Sequence, residues 1–535
     1  MSNKFLPEQE MLLKLDYWLA KQEAAPVRSI ERVEAGEDPR AESFRVEERA
    51  PAETQRLTHP GESGKVQTKI YELVHRGGRT FERARTAWVN PEVAQRLNQR
   101  KVATDWIRTL GNYLPIYFVG GYIRDKYFKK VSKDVDIISL TPLANVKQIF
   151  DNLGIKYSEH SNAFARLKFH VGDLKVDMIS TTADGLLDNL RQRDFTINAI
   201  AQSVTGQFYD PYHGLDDIKA KVLRTPADRS LESFTEDSSR ILRAARFLSD
   251  FPVKPHGSLL AAMPDASELV GNLKPDRIGW ELKKILKTEK PWIGLRFLST
   301  YDIIQYICSD LNKLRGLKQK GRRKDVWDHT LRSLKAAKST DLILNLALLF
   351  HDVGKGAIEK VNGNFPGHAD PGSKLTEKTL ARLGFNKNTI SRVSNLIANH
   401  KFLDEMKQDP DVDEIKKLVL ELRGDLNRFF ELMKADSKGA GDLSEDAKKL
   451  ETFIRSVKSS LPDETGEEDE TEIQKLDEVP RPERKDGVLL EKSGDPTPSI
   501  ESKVLNEIDE SMFLLSEDYP VAAEVEDLIK LVGKK

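Results

Sequence analysis

The chain has 535 residues, with 32% charged and 39% hydrophobic side chains and a formal net charge of -1. That length exceeds one ordinary core and suggests roughly three or four domains, while no apolar run approaches the ~18 to 20 residues of a membrane-crossing helix. The longest, LILNLALLF at 342–350, has the length of a core helix, no apolar secretory segment opens the chain, and Cys308 stands alone and cannot form an internal disulfide. The sequence therefore reads as intracellular, expected in the cytoplasm, with no membrane partner.

Charge is unevenly distributed. Residues 441–535 hold 13 Lys and Arg against 26 Asp and Glu, leaving a surplus of 12 positive charges on residues 1–440. Almost all of that surplus falls within 101–440, which suits a polyanion as a partner and equally suits a solvated basic surface.

In chain order, residues 1–95 begin with an amphipathic pattern (MLLKLDYWLAKQE) and continue as a charged, Pro- and Gly-containing stretch without periodicity. They read as a largely irregular N-terminal arm. VAQRLNQRKVATDWIRTLGNYL predicts a helix and PIYFV a buried strand; DVDIISL, ARLKFHV and LKVDMIST read as further strands around the helical LANVKQIFDNLG. This gives an α/β head over 96–230. Helical patterns then dominate, as a neck and body over 231–324 and a second helical region over 325–440. The acidic segment 441–535 reads as a solvated extension whose partner, if any, the sequence does not identify.

The strand PIYFV leads into Gly120-Gly121-Tyr122-Ile123-Arg124-Asp125. Paired glycines after a strand allow close backbone approach to a phosphate, and Arg124 supplies a forked donor. Asp134 and Asp136 lie two apart in a strand and so share a face, an arrangement that calls for a cation. Asp177, in LKVDMIST, is a candidate third carboxylate, and this hard oxygen set suits Mg²⁺.

YFVGGYIRD, KDVDIIS, NLRQRDFTINAIA, YDPYHGLDDIKAKVLRT and FTEDSSRILRAARF, in that order over about 130 residues, resemble the class II tRNA nucleotidyltransferase and poly(A) polymerase family. The resemblance implies that Asp134 and Asp136 bind the catalytic metals, that Asp177 joins them, that Arg193 meets the triphosphate, and that Asp194 and Asn198 recognise the ribose. Glu236-Asp237-Ser238-Ser239-Arg240 has the spacing that sets Asp237 and Arg240 on one face of a helix. By the resemblance, they act as an amino-acid template that selects C or A from CTP and ATP. Arg243 and Arg246 on the same helix face either nucleotide phosphate or the domain surface. One departure stands out: only ten residues, MISTTADGLL, separate Asp177 from Asp188, where many bacterial members carry a long loop. In the family a shortened loop here accompanies addition of CC without the final A.

Downstream come His329, His351-Asp352-Val353-Gly354-Lys355, His368, His400 and Asp436. Mixed imidazole and carboxylate ligands suit a transition metal such as Ni²⁺, Mn²⁺ or Fe. The series resembles an HD-superfamily phosphohydrolase, which implies His329, His351, Asp352 and Asp436 as core ligands, with His368 and His400 holding a second metal or binding phosphate.

The expected architecture is therefore α+β: a small mixed-sheet head, an all-α neck and body, and an all-α HD domain, between partly disordered extensions. The expected partners are tRNA and nucleoside triphosphates, with homodimerisation left open. A poly(A) polymerase and a CC-adding enzyme of the same family are the near alternatives. An HD phosphohydrolase using its nucleotidyltransferase half only to bind RNA is the alternative from another class.

Overall fold

A computed structural model describes residues 66–440, apart from 77–78, 90, 112–113, 129, 131–133, 162–164, 173, 321–323, 403–411 and 423. The amphipathic pattern at 11–23 and the acidic extension 441–535 lie outside the described residues.

Period-two alternation builds the head. Strands β3 (Ile116–Val119), β4 (Asp134–Ser139), β5 (Tyr157–Ser161), β6 (Ala165–Val171), β7 (Leu174–Ser180), β8 (Ala201–Ser203) and β9 (Phe208–Tyr209) form one mixed sheet in the order β5-β6-β7-β4-β3-β8-β9. Only β4 and β7 pair in parallel. One face buries Val135 and Ile137 of β4, Leu167, Phe169 and Val171 of β6, and Val176 and Met178 of β7. The intervening residues, Asp134, Asp136, Asp177, Lys168 and Arg166, belong to the other face.

Helices α1 (Pro91–Leu110), α2 (Gly121–Tyr127), α3 (Leu143–Leu153), α4 (Ala183–Arg191) and α5 (Gly214–Ala220) complete the head. Trp106 of α1 and Phe150 of α3 pack on Phe169 at ring separations of 6.0 and 5.0 Å, closing the apolar face. On the other face, Leu186 and Leu190 of α4 cover Ile138 and Ile179, and the carboxylates lie beyond this small apolar lid.

The N-terminal arm requires a correction. Within the segment expected to be irregular, β1 (Val66–Arg76) and β2 (Arg79–Val89) form an antiparallel ladder from Val66↔Val89 to Arg76↔Arg79. Between them the sequence reads Gly77-Gly78, a pair favoured in two-residue hairpin connections. In VQTKIYELV the charges of Lys69 and Glu72 stand three apart and interrupt both alternating sets, so no period-two signal stands out.

The neck and body comprise α6 (Ser230–Glu236), α7 (Ser239–Asp250), α8 (Gly257–Ala266), α9 (Pro275–Leu286), α10 (Pro291–Thr300) and two single turns, α11 (Ile304–Ile307) and α12 (Ser309–Asn312). A two-residue parallel pairing, β10 (Val222–Leu223) with β11 (Lys254–Pro255), extends strand structure past residue 230, where none was expected. Helices α13 (Val326–Ala337), α14 (Leu342–Phe350), α15 (Ala369–Arg382), α16 (Lys387–Asn399), α17 (Val412–Glu421) and α18 (Leu426–Ala440) follow. Every residue of α14 is buried, which accounts for its unbroken apolar sequence.

Glycine-mediated contacts join these layers. A Cβ on Gly294 of α10 would lie 2.4 Å from the Ala245 carbonyl oxygen of α7, and one on Gly279 of α9 would lie 2.0 Å from the Leu383 carbonyl oxygen just after α15. Asn345 of α14 also donates to the Leu286 carbonyl at the end of α9, at 2.7 Å. Because backbone rather than a pliable side chain opposes it, Gly279→Ala is expected to destabilise the protein by about 1–3 kcal/mol. Chemical unfolding of the full chain measures this, and an unchanged midpoint would contradict the packing.

Candidate active sites

The first site is built at the end of β3. Gly120 has φ 68 and ψ -133, a conformation open to glycine, and a Cβ there would lie 2.8 Å from both Asp136 Oδ2 and Arg193 Nη1. The glycine thus lets a carboxylate and a guanidinium converge on the backbone. The parallel register aligns Asp136 with Asp177 and Asp134 with Lys175, so the two carboxylates stand side by side and Asp134 follows on the same face. Burial pushes the Asp136 carboxyl up; Arg193 opposes this, while Asp177 and Asp134 push it further. Asp177 Oδ1 is buried and has no hydrogen-bond partner. Hard oxygen donors under mutual repulsion, one of them unsatisfied, fit a divalent cation such as Mg²⁺.

Arg124 folds over Gly121. Its Nη1 donates to Asn198 Oδ1 at 2.6 Å, its Nε and Nη2 to Asp125 Oδ1 at 2.9 and 2.6 Å, and its guanidinium lies 4.8 Å from the Phe251 ring centroid. Arg193 donates to Asn189 Oδ1. Asp194 accepts from the Phe195 N–H at 2.9 Å, Asn198 Nδ2 at 2.8 Å and Arg243 Nε at 2.8 Å. Burial pushes the Asp194 carboxyl up, but Arg243 and these hydrogen bonds outweigh it and hold the group well below the usual carboxylate range. Arg246 donates to Glu281 Oε2 at 3.1 Å, so it pairs with α9.

The EDxxR residues do not share one helix. Glu236 ends α6, Asp237 is extended at φ -152 and ψ 93, and α7 begins at Ser239. Asp237 Oδ1 accepts from the Ser239 N–H at 3.1 Å, satisfying an amide at the start of α7, and Oδ2 lies 3.3 Å from Arg277 Nη2. Arg240 is 4% exposed and donates to Ser233 Oγ at 2.7 Å, to Glu236 Oε2 at 3.2 Å and to the Gln192 carbonyl. The local capping competition of Asp237 breaks the helix that sequence spacing suggested.

The second site gathers all six residues of the HD series. Asp325 caps α13, which carries His329; α14 delivers His351 and Asp352 at its end; His368 precedes α15, His400 follows α16, and Asp436 lies in α18. The rings of His351, His368 and His400 bond through Nδ1 to the carbonyls of Leu348, Phe365 and Ile397 at 2.8, 2.7 and 2.6 Å. A carbonyl only accepts, so each Nδ1 carries the proton and each Nε2 presents a lone pair. His368 Nε2 and His400 Nε2 face each other at 3.2 Å, and His329 Nε2 and His351 Nε2 at 3.3 Å. For His368 and His400, two opposed lone pairs at this distance call for a cation between them, while His329 Nε2 also lies 2.7 Å from Asp436 Oδ1.

The grouping departs from the sequence expectation only at Asp352. His329, His351 and Asp436 form one cluster, and Asp352, His368 and His400 the other. Asp352 faces both, with Oδ1 3.1 Å from His368 Nε2 and Oδ2 3.5 Å from His351 Nε2. Burial pushes the His400 ring well down, reinforced by His351 and Lys401, which keeps it in the neutral, ligating form. The donor set fits a transition metal in each cluster. Sequence reading assigned no role to Lys355, which donates to Asp352 at 2.8 Å, or to Lys401, 3.3 Å from Asp436 Oδ2. Arg277 and Glu281, which hold Asp237 and Arg246, were also missed, because only the packing of α9 on α7 reveals them.

Three family models match successive parts of the chain: the poly A polymerase head domain over 116–224, the probable RNA- and SrmB-binding site of polymerase A over 254–314, and the HD domain over 326–449. The class is thus a polymerase-type nucleotidyltransferase head joined to an HD domain. The multifunctional CCA protein of Psychromonas ingrahamii is 29% identical over 359 residues, covering 61% of this chain and 85% of its own, and that of Shewanella denitrificans is 30% identical over 293 residues, covering 50% and 70%. The chain belongs to the multifunctional CCA protein family. The Bacillus stearothermophilus CCA-adding enzyme, solved in complex with CTP, shares the fold at TM-score 0.51 and 20% identity, over 69% of this chain and 84% of that one. No helix among the described residues is long and apolar enough to cross a membrane.

Removing the charge that holds Asp194 has a pH signature. Asp194 is depressed in the folded state, so its contribution to stability is complete above about pH 4 and is lost as pH falls below that. Arg243→Met is expected to cost about 3 kcal/mol at neutral pH, with the gap to wild type narrowing under acid. Urea unfolding at pH 7 and below pH 4 measures both; a gap that does not change with pH would contradict the pairing.

Proposed function

We propose that the head adds CCA from CTP and ATP to tRNA 3′ ends without a nucleic-acid template, and that the HD site is a metal-dependent phosphohydrolase for 2′,3′-cyclic or terminal phosphates. The observation that carries the first activity is the register setting Asp136 beside Asp177, with Gly120 admitting Arg193 up to them. The names of the curated relatives and of the CTP-bound neighbour support it.

In this reading Asp134, Asp136 and Asp177 hold Mg²⁺, which when bound offsets negative charge on the triphosphate and the attacking 3′-hydroxyl. Gly120 and Gly121 leave room for the phosphates, and Arg124 and Arg193 face their charge. Asp194 and Asn198, held by Arg243 and Arg124, are set for the ribose hydroxyls. Asp237 and Arg240 select the base; since Arg240 is buried on Ser233 and Gln192, a base meets it only when those contacts open. The helical body meets the tRNA by shape and phosphate contacts.

In the HD site, His329, His351 and Asp436 hold one transition metal, such as Ni²⁺, Mn²⁺ or Fe, and Asp352, His368 and His400 a second, with Asp352 shared. Bound metal there supplies Lewis acidity toward a phosphate. Lys355 holds Asp352 as the shared carboxylate, and Lys401 steadies Asp436.

A CC-adding enzyme is the second reading. It is favoured by the connection from β7 to α4, which consists of Thr181 and Thr182 alone. Extension of tRNA transcripts lacking CCA, read at nucleotide resolution with CTP and ATP, decides between them. Three added residues followed by a stop are expected; a stop after two identifies CC addition, and a long A ladder a poly(A) polymerase.

The two sites are expected to fail independently. Asp136→Ala should lower transfer at least 100-fold, as loss of a central charge-stabilising group does, while sparing hydrolysis of a 2′,3′-cyclic nucleotide; His351→Ala should do the reverse. Parallel assays on each variant test this, and joint loss from either change would refute two separate sites.

A further inference from the structure

The sheet face that carries the carboxylates continues onto β6. Lys168 is paired directly with Asp177, as Asp177 is with Asp136, and Arg166 lies two residues along on the same face, opposite Ile179. Both cations are half-buried. Among the described residues, no hydrogen bond or ion pair within 4 Å holds either side chain. Lys168 thus faces a carboxylate without being neutralised by it, since Asp177 Oδ1 itself has no partner. Arg166 is near enough for its charge to act on both Asp136 and Arg193. Half-buried cations that no hydrogen bond or ion pair fixes, beside a polyanion-handling site, are placed for a phosphate.

The direction of the reaction says which phosphate. Across the sheet the order is the Gly120–Arg124 cradle at the end of β3, then Asp134 and Asp136 on β4, then Asp177 on β7, then Lys168 and Arg166 on β6. In an in-line displacement the attacking oxygen and the leaving group lie on opposite sides of the phosphorus. With the departing pyrophosphate on the cradle side, the attacking 3′-hydroxyl enters from the β7 and β6 side. The strands are about 4.8 Å apart, so β6 lies about 10 Å from β4, one nucleotide's reach beyond the reacting centre.

We propose that Arg166 and Lys168 form the subsite for the terminal phosphodiester of the RNA acceptor, positioning its 3′-hydroxyl against the carboxylate cluster. This rests on reading the head as a nucleotidyltransferase and adds to it the residues that hold the second substrate. Both are positioning residues: they touch the acceptor backbone and leave nucleotide choice to the neck.

The test is steady-state extension by the full chain with Mg²⁺, CTP and a tRNA transcript lacking CCA, comparing wild type with Arg166→Ala, Lys168→Ala and Arg166→Lys. Each alanine variant is expected to raise KM for RNA about tenfold, the loss of one charge-assisted contact, and to flatten the salt dependence of RNA binding by about 0.7 per cation removed. KM for CTP, and CTP affinity measured without RNA, should stay within about twofold, and Arg166→Lys should restore most of the RNA affinity. If an alanine variant does not fold, Arg166→Gln and Lys168→Gln carry the same comparison. A rise in KM for CTP with KM for RNA unchanged would assign these cations to the triphosphate and overturn the proposal, as would no change in either. Wild-type extension by Asp136→Asn would instead remove the reading of the head itself, so the two failures are distinct.

Discussion

Two carboxylates side by side on a half-buried sheet face repel each other unless positive charge is supplied, and the head is organised around that demand. The parallel pairing of β4 with β7 creates the problem by aligning Asp136 with Asp177. Gly120 answers it from one side, since the missing side chain brings Arg193 within reach of Asp136. The lysine and arginine of β6 stand on the other side. The apolar reverse face, packed on Trp106 and Phe150, fixes all of these positions at once, because slipping any strand by one residue would turn its carboxylates into the core.

A second tier of charge ties this face to the helical body. Asp194 leaves the head to meet Arg243 of α7, Arg246 of the same helix meets Glu281 of α9, and Arg277 of α9 meets Asp237. Helix α9 then touches the end of α15 through Gly279, and its own last carbonyl accepts from Asn345 of α14. Apolar packing runs unbroken from the head to α18. The two candidate sites are chemically separate, yet their supporting helices share a core.

Much of this was legible in the sequence because its signals are local. The glycine pair, the DVD strand and the apolar run before His351 each depend on a few consecutive residues, and the structure forms β3, β4 and α14 where they fall. What escaped notice depends on distant residues or on competition. The hairpin Val66–Val89 has charged residues on both alternating sets of each strand, which leaves no period-two pattern to read. Helical spacing in EDxxR gave way to the side chain of Asp237, which serves an amide of the next helix. The placing of Asp352 with His368 and His400 as well as beside His351 turns on which of its oxygens faces which rings, and no spacing encodes that.

The ring anchoring in the HD site has a consequence for how its metal chemistry is set. His351, His368 and His400 each take their orientation from the carbonyl three residues earlier, so every ring is aimed by its own turn of backbone rather than by its neighbours. Ligand geometry is thus inherited from helix ends that form during folding, with little left to order when an ion arrives. The elements not so anchored are the ring of His329, whose Nδ1 has no partner among the described residues, the reach of Asp436 and the tilt of Asp352 under Lys355. On the proposed metal-binding role, substitution around those less anchored groups retunes the ion taken while the three anchored imidazoles stay as they are, making the metal a variable trait on a constant scaffold.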